Sequence, residues 1–298
     1  MSQLVQAEFQ TVRPTSKRFL DALPSWQLGT LAALTLWLYG PTLTHLLGQW
    51  WHDPNFSHGF FVPAFSGFVV WQGRERLAQV SLKPSWSGLG ILALALAVLV
   101  IGQMGAELFL TRFSLLLLLS GLIVLLLGWK YLHALLFPMA FLVLMIPIPT
   151  IVFNQITFPL QLLASRISAG VLPWFGVPVL QEGNVIVLPA MALEVAEACS
   201  GIRSLMSLAT LAIMYGYLMD RHVSVRVLLA VASVPIAVLA NGSRIVGTGL
   251  LVQYWDPDKA EGFFHAFSGW LIFVISLGLL YVLHRVLRMM WRQHALAE

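Results

Sequence analysis

Long apolar runs, separated by short polar segments, constrain this chain more than any other feature. Eight of them predict transmembrane helices, of which the second and the fourth are short for a bilayer. The predicted spans cover residues 27–47, 59–73, 87–106, 113–129, 132–149, 203–220, 226–250 and 266–288. Hydrophobic residues make up 58% of the sequence and charged residues only 10%, a proportion that no soluble domain of this size can bury. We therefore expect an all-α polytopic membrane protein.

No sequence repeat, low-complexity tract or long linker divides the chain, so we expect one membrane-embedded domain over residues 1–298. The N-terminus lacks a short apolar segment with a cleavage site, so we expect no cleaved signal peptide. One cysteine rules out an intrachain disulfide and a cysteine-cluster zinc site, and we expect no metal and no cofactor. The net charge of +4 is small and the basic residues are dispersed, which favours membrane orientation signals over nucleic-acid binding.

The distribution of lysine and arginine predicts the orientation. If the N-terminus is cytoplasmic and eight spans alternate, 5 basic residues fall on the outer side: Arg112, Arg166, Arg203, Arg244 and Lys259. The other 12 fall on the cytoplasmic side: Arg13, Lys17, Arg18, Arg74, Arg76, Lys83, Lys130, Arg221, Arg226, Arg285, Arg288 and Arg292. This bias is the one that the positive-inside rule requires, and it makes both termini cytoplasmic. Cys199, Arg244 and His265 then share the outer face, although none of them was used to choose the orientation.

The outer face also contains the only sizeable segment between spans, residues 150–202. Within it, apolar residues recur at helical spacing, which predicts an amphipathic helix over 156–172 at the membrane interface. Apolar β-forming residues then flank the turn-forming Gln181-Glu-Gly-Asn184, which predicts a short β-hairpin over 177–188. Such a periplasmic cap either holds an extended peptide by strand pairing or simply covers the helix bundle.

Cys199 is the only cysteine, and it stands where the sixth span begins. A free thiol has a pKa of about 8.5, and a helix N-terminus or a nearby cation increases its thiolate fraction. Ser200-Gly201 opens the span, and Arg203 follows four residues after the thiol. A lone cysteine is commonly an inert buried apolar residue, but these polar, glycine-containing surroundings favour a nucleophile.

Arg244 lies within the seventh span, after the apolar run Leu228–Ala240. A membrane-embedded arginine is costly unless it faces a polar cavity or extends to the interface, and simple extension is one alternative. The other alternative is catalytic: the fixed fork of donors holds the oxyanion of a tetrahedral intermediate or stabilises the thiolate. Asn241 lies one helical turn earlier on the same face and is a candidate to orient the guanidinium.

His265 begins the last span, and an imidazole there is able to accept the thiol proton and return it to a leaving amine. An interfacial histidine is also often only a hydrogen-bonded anchor. His52, Asp53 and His58 share the outer face, but no recognised ligand spacing supports a metal site that combines them with His265.

Three motifs resemble the signature regions of the exosortase/archaeosortase family of membrane-embedded cysteine transpeptidases. They are Glu197-Ala-Cys-Ser-Gly-Ile-Arg-Ser204, Asn241-Gly-Ser-Arg244 and Phe264-His-Ala-Phe-Ser-Gly-Trp270. Further similarity lies in Asp53-Pro-Asn-Phe-Ser-His-Gly59, Phe137-Pro138, Ile146-Pro-Ile-Pro149, Pro159-Leu-Gln161 and Glu182-Gly-Asn184. The resemblance thus covers about residues 50–270. The archaeal branch typically has a second arginine where His265 stands, which favours the bacterial branch.

The resemblance implies a transpeptidase in the inner membrane of Gram-negative bacteria, with its active site at the periplasmic face. Its partners would be exported proteins whose C-terminal sorting signal consists of a Pro-Glu-Pro motif, a transmembrane helix and a basic tail. It would cleave this signal through a thioacyl intermediate and transfer the protein to an unknown acceptor nucleophile. A link to protein sorting, exopolysaccharide and biofilm follows from the same resemblance. Some members have an additional C-terminal domain, which we do not expect here.

The resemblance also implies the roles of the candidate site residues. Cys199 would be the nucleophile, Arg244 the stabiliser of the oxyanion and His265 the acid and base. Three further residues would support them: Arg203, Asn241 and His58.

Two other functional classes stay open on the residues alone. A transporter or channel accounts for a buried Arg244 and for the proline-rich Ile146-Pro-Ile-Pro149, but inverted repeats are absent and the polar groups cluster at one face. A non-catalytic assembly factor for polysaccharide export is the second alternative. Covalent trapping of a substrate at Cys199 separates the enzyme from both.

Overall fold

A computed structural model of the chain describes residues 24–189, 191–195, 201–255 and 263–294. Side chains are described for all of these except 201–202, 263–266 and 291–294. The α-helices are α1 (Ser25–His52), α2 (Phe61–Gln72), α3 (Arg74–Ala78), α4 (Ser87–Met104), α5 (Leu108–Leu126), α6 (Trp129–Ala134), α7 (Leu136–Phe141), α8 (Thr150–Val171), α9 (Gly201–Met219), α10 (Val223–Tyr254) and α11 (Phe263–His294). Short 3-10 helices follow α1, α7 and α8 at Pro54–Phe60, Leu142–Met145 and Leu172–Phe175.

Four helices among these residues are long and apolar enough to cross a membrane: Ser87–Met104, Leu108–Leu126, Val223–Tyr254 and Phe267–Met290. The stretches Leu136–Met145 and Thr150–Phe175 make a fifth span if they form one broken span. A multi-pass membrane protein is therefore confirmed. The remaining predicted spans lie on helices that are shorter or less apolar, so the number of eight stays a prediction.

The fourth predicted span illustrates how a polar residue sets a helix boundary. The sequence predicts a start at residue 113, whereas α5 begins at Leu108. Glu107 precedes it in an extended conformation, and its Oε2 accepts a hydrogen bond of 2.9 Å from the N–H of Leu110. This cap satisfies one of the backbone donors that every helix N-terminus leaves open.

The described residues form two compact units, of which the first comprises residues 24–46 and 63–146. In this unit, α4 and α5 approach each other closely because small residues lie between them. A Cβ on Gly88 would collide with the backbone of Leu125, and one on Gly121 would lie 2.9 Å from the side chain of Leu92. Close backbone approach of this kind is how helices gain packing energy in lipid, where no hydrophobic effect drives them together.

The second unit comprises residues 47–62 and 147–294, in the parts that the structure describes. It contains α8, α9, α10, α11 and a small antiparallel sheet. The sheet has the order β1-β2-β3, with β1 at Leu180–Glu182, β2 at Val185–Val187 and β3 at Ala192–Glu194. The expectation that the whole chain is one functional domain stays a prediction.

The predicted hairpin is present as β1 and β2, and the third strand was not predicted. Glu182 pairs with Val185 across a two-residue turn, in which Gly183 has a φ of 63°. Glycine with positive φ at the first central position is the pattern of a type II′ turn, which suits the twist of a hairpin. One face of the sheet is buried in a cluster that combines strands and helices: Ala164, Leu172, Val177, Ile186, Leu188, Leu193, Val195, Ile245 and Val252.

Helix α8 occupies the segment in which the sequence predicts an amphipathic helix at the membrane interface, and its place at the interface stays a prediction. The buried positions are small: Thr157, Ala164, Ser165 and Ser168. Several large apolar side chains are exposed: Ile151, Val152, Ile156, Phe158 and Leu163. This distribution is the reverse of a soluble amphipathic helix, because in a membrane protein small residues favour the helix contacts and large apolar ones favour lipid.

Candidate active site

Cys199 lies outside the described residues, as does the side chain of His265. Val195 precedes the cysteine by four residues, and α9 begins two residues after it, at Gly201. The backbone of His265 lies in the first turn of α11.

The strand that leads towards Cys199 packs against the helix that contains Arg244. Val195 is 1% exposed and shares a buried cluster with Ile245, the residue that follows Arg244 in α10. Val195 also continues the β2–β3 ladder, because its N–H donates to the carbonyl of Asn184 at 3.0 Å. The chain entering the cysteine motif is therefore fixed beside α10.

A small cavity connects the first turns of α9 with α10. Its volume is about 20 Å³, which is room for about one water molecule. The lining comes from α8, α9 and α10: Thr157, Leu160, Gln161, Ala164, Leu205, Ala237, Val238 and Asn241. Leu205 immediately follows the predicted cysteine motif, which ends at Ser204, and Asn241 begins the predicted arginine motif, so the cavity links the regions of the two motifs.

The guanidinium of Arg244 lies against the last helix. Arg244 is only 8% exposed, and a Cβ built on Gly269 of α11 would lie 3.3 Å from its Cζ, 3.4 Å from Nη2 and 3.5 Å from Nη1. The three similar distances mean that the group lies flat over Gly269. His265 is one helical turn before Gly269 in the same helix.

Helix α8 packs against α10 at Gly242, two residues before Arg244. The Oγ of Ser168 lies 3.1 Å from the carbonyl of Gly242 in α10 and 2.8 Å from that of Ala164 in its own helix. A Cβ on Gly242 would lie 3.7 Å from Ile167, so α8 passes close to the backbone just before Arg244. The hydroxyl therefore bridges two helices at the level of the candidate site.

His58 lies in the 3-10 helix Pro54–Phe60 and is 6% exposed. This 3-10 helix contacts α9, and the ring centroid of its Phe56 lies 5.8 Å from that of Phe153 in α8. The adjacent Gly59 has no room for a side chain, because a Cβ there would collide with the indole of Trp50. The 3-10 helix that contains His58 thus packs against α8 and α9, the second of which begins two residues after Cys199.

His52 and Asp53 have local structural roles. The Nδ1 of His52 lies 2.8 Å from the carbonyl of Gly48 in α1, and the residue is exposed. Asp53 caps the 3-10 helix, since its Oδ1 accepts the N–H of Asn55 at 2.9 Å. Among the described side chains, no three His, Cys, Asp or Glu residues are close enough to share a metal ion.

Arg203 lies in the first turn of α9, and its side chain is exposed. Cations are unfavourable at a helix N-terminus because the helix dipole is positive there. Arg203 therefore does not stabilise the helix through its dipole. Its exposed guanidinium is accessible to a negatively charged ligand.

A buried polar cluster that the sequence did not predict joins the end of α9 and the start of α10 to α11. The Nε2 of His284 lies 3.2 Å from Oδ2 of Asp220, and its Nδ1 lies 2.8 Å from the hydroxyl of Tyr215. A neutral His284 with its proton on Nε2 donates to Asp220 and accepts from Tyr215. Arg288 Nε lies 3.7 Å from the same carboxylate oxygen. A histidine inside the last apolar span is costly, and that signal was present in the sequence.

The carboxylate of Asp220 is held in its charged form. Burial raises the pKa of Asp220, but the N–H of His222 at 2.8 Å, the bond to His284 and the charge of Arg288 lower it. The net result is a pKa below the ordinary value of an aspartate. Asp220 thereby anchors the start of α10 to the far part of α11.

Comparison with known families agrees with the motifs. A family model described as Transmembrane exosortase (Exosortase_EpsH) matches residues 50–282, which is most of the chain. The matched region includes all of the predicted site residues. No curated protein and no solved structure matches the chain.

Proposed function

Because the chain belongs to the transmembrane exosortase family, we propose that it is a cysteine transpeptidase of the bacterial inner membrane with its active site at the periplasmic face. Its substrates are exported proteins with a C-terminal sorting signal: a Pro-Glu-Pro motif, a transmembrane helix and a basic tail. The enzyme removes this signal and transfers the protein to an acceptor nucleophile, in protein sorting linked to exopolysaccharide. The catalytic residues are Cys199, Arg244 and His265.

The contact between Arg244 and Gly269 is the observation that carries the proposal. The buried residues of α11 among its described side chains include Ser276, Leu280 and His284, which follow Gly269 at intervals of seven, four and four. At about 100° per residue, these positions form one stripe along the helix. His265, four residues before Gly269, belongs to the same stripe. This periodicity supports the proposal that His265 acts together with Arg244.

Covalent geometry supports a place for Cys199 beside this pair. Consecutive Cα atoms are about 3.8 Å apart, so the Cα of Cys199 is within about 8 Å of the start of α9 at Gly201. Val195, on its other side, packs in one cluster with Ile245. Both ends of the short cysteine segment are therefore held against α9 and α10.

Each residue then has a chemical role. His265 accepts the proton of the Cys199 thiol, and the thiolate attacks the scissile carbonyl carbon. Arg244 donates hydrogen bonds to the oxyanion of the tetrahedral intermediate, in a buried site where such bonds are strong. The intermediate collapses when the C–N bond breaks, and His265 returns the proton to the leaving amine. The acceptor nucleophile then attacks the thioester and releases the thiol.

The three supporting residues have different environments. Asn241 lines the cavity beside the first turns of α9, which suits a residue that holds one water molecule or a polar group in the site. His58 is buried in the turn that packs on α9, which suits a residue that positions the cysteine segment. Arg203 is exposed in the first turn and is suited to bind the carboxylate of the sorting motif.

Trapping the thioester tests this function. Purified protein in nanodiscs is mixed with a synthetic sorting-signal peptide, and intact mass spectrometry follows the protein. Wild type should gain the mass of the acyl fragment and lose it with hydroxylamine, and Cys199→Ala should gain nothing. The matched control is Ser120→Ala, which deletes a hydroxyl that bonds only to Leu116 within α5 and should react normally. Normal processing by Cys199→Ala would rule out the cysteine mechanism.

A further inference from the structure

The outer edge of β3 presents backbone groups that the sheet does not use. The N–H of Leu188 donates to the carbonyl of Met191 at 2.9 Å, and the N–H of Val195 donates to that of Asn184. In an antiparallel ladder, alternate residues point their backbone groups to the same side. Met191, Leu193 and Val195 therefore face β2, and Ala192 and Glu194 direct their N–H and C=O groups away from the sheet. Within the described chain, no backbone group pairs with them there.

The two edges of the sheet are not equivalent. The β1 edge lies beside α8, and the Oγ of Ser165 in that helix donates to the carbonyl of Gly183 at 3.3 Å. At the β3 edge, both Ala192 and Glu194 are exposed. An exposed strand edge of this kind is a template for another extended chain.

The β3 edge is also anchored by packing, and it lies close in sequence to the candidate nucleophile. Leu193 and Val195 anchor the strand, because they are 5% and 1% exposed and pack in the cluster with α10. The strand ends at Glu194, five residues before Cys199 in the sequence. A peptide paired with β3 is thereby held along the segment that leads into the catalytic motif.

We propose that this edge binds the extended sorting motif of the exported protein, which adds to the sheet as a fourth strand. The identity of the motif rests on the proposed function. Strand addition takes its affinity from main-chain hydrogen bonds and is one of the recurring ways in which proteins recognise peptides. Here the bonds form with the N–H and C=O groups of Ala192 and Glu194.

The Pro-Glu-Pro pattern fits strand addition for a geometric reason. Proline has no N–H, so it is confined to positions of an edge strand whose N–H would face away from the sheet. Residues one apart in a strand alternate in direction, so when the central glutamate directs its N–H and C=O towards β3, both prolines face outwards. The added strand loses no hydrogen bond to either proline, and the prolines prevent a further strand from joining.

A proline in β3 tests the edge from the side of the enzyme. Ala192→Pro removes an outward N–H and places a ring at the edge, yet leaves every β2–β3 hydrogen bond in place. We expect its KM to rise at least tenfold, with kcat within about twofold, because the lost bonds form equally in the ground and transition states. Ser120→Ala, the control already used for thioester formation, should retain the wild-type KM. An unchanged KM in a folded Ala192→Pro protein contradicts the proposal.

Modified peptides test the same edge while β3 keeps its own sequence. This test therefore works even if the Ala192→Pro protein does not fold. Fluorescence anisotropy measures binding of labelled sorting-motif peptides to the Cys199→Ala protein in nanodiscs. N-methylation of the central glutamate should weaken binding at least tenfold, because it blocks the inward N–H. N-methylalanine in place of either proline should change binding less than threefold. Equal binding of all these peptides shows that the edge is not the site.

Measurements of peptide binding and of thioester formation together distinguish the strand-addition proposal from the proposed function. Binding with the expected sensitivity, but without thioester formation in wild type, leaves the edge standing and removes the transpeptidase activity. Thioester formation that is insensitive to glutamate N-methylation and to Ala192→Pro removes the edge and leaves the activity. Absence of both binding and thioester formation overturns both.

Discussion

Gly269 gives the sharpest test of the site, because its only role in the contact is to be small. A Cβ at this position would lie 3.3 Å from Cζ of Arg244, closer than ordinary carbon contacts of about 3.5–4.0 Å. Gly269→Ala should therefore displace the guanidinium by a few tenths of an ångström. Gly269→Val adds branched carbons that reach about 1.5 Å further and should displace it by about 1 Å.

The expected rates follow from these displacements. A misplacement of about 1 Å in a catalytic group costs on the order of 10²-fold in rate. We therefore expect single-turnover acylation to fall severalfold in Gly269→Ala and about 10²-fold or more in Gly269→Val. Stability should not fall in parallel, because alanine in a helix interior is favoured over glycine by up to about 1 kcal/mol and valine is not worse than glycine.

Gly278 is the matched control for this prediction. It lies in the same helix, is exposed, and a Cβ there would meet nothing within 4 Å. Gly278→Ala and Gly278→Val should both acylate at the wild-type rate. The assay is thioester formation with a sorting-signal peptide in nanodiscs, with the melting temperature recorded for each variant. A wild-type rate in Gly269→Val, or an equal loss in Gly278→Val, refutes the reasoning.

Four further predictions concern chemistry, topology and stability. Arg244→Lys keeps the charge but loses the fork of donors, and should lose at least about 10²-fold in acylation rate; nearly free substitution would mean that Arg244 only extends to the interface. His265→Gln should slow acylation and flatten its pH dependence near neutrality, whereas an unchanged profile would exclude His265 from proton transfer. In a Cys199→Ala background, cysteines at Asp53 and Asp258 should be labelled from the periplasm and those at Arg76 and Arg221 should not, and the reverse pattern would place the site in the cytoplasm. Because the folded pKa of Asp220 is depressed, its stabilisation is present above the unfolded pKa of about 3.9 and is lost as pH falls through the folded value; Asp220→Asn should melt lower at neutral pH and lack this acid-dependent loss, which thermal melts across pH will show.

The sequence was sufficient for the features that depend on one element at a time. Apolar runs predicted the helices now seen as α4, α5, α10 and α11, because spanning length is a property of a single segment. A Gly-Asn pair between β-forming residues predicted the turn at Gly183. The third strand was missed because β3 is only three residues long and contains Ala192 and Glu194, both of which disfavour strands.

Features that depend on the meeting of two elements were beyond the sequence. The separation of Arg244 and Gly269 in the sequence does not show which faces of α10 and α11 are in contact. The sequence did not show which residues of α8 contact the rest of the protein, and the structure buries Ala164 and Ser168. Asp220 and His284 are 64 residues apart, and only tertiary packing shows that they pair.

Two contacts of α11 both depend on the rotation of that helix about its axis. One is the contact of Gly269 with Arg244, and the other is the contact of His284 with Asp220 and Tyr215. Gly269 and His284 are fifteen positions apart, which is about 22 Å along the helix and about 60° around it. A rotation that moves the Gly269 face away from Arg244 therefore also pulls His284 away from Asp220 and Tyr215. The buried pair at one end resists this rotation, because its charged carboxylate would lose a hydrogen-bonded partner in a site only 6% exposed. Asp220 thus contributes to the alignment of the candidate site from 22 Å away, and its loss should affect acylation rate through α11, whereas Gly269→Val affects it at Arg244 directly.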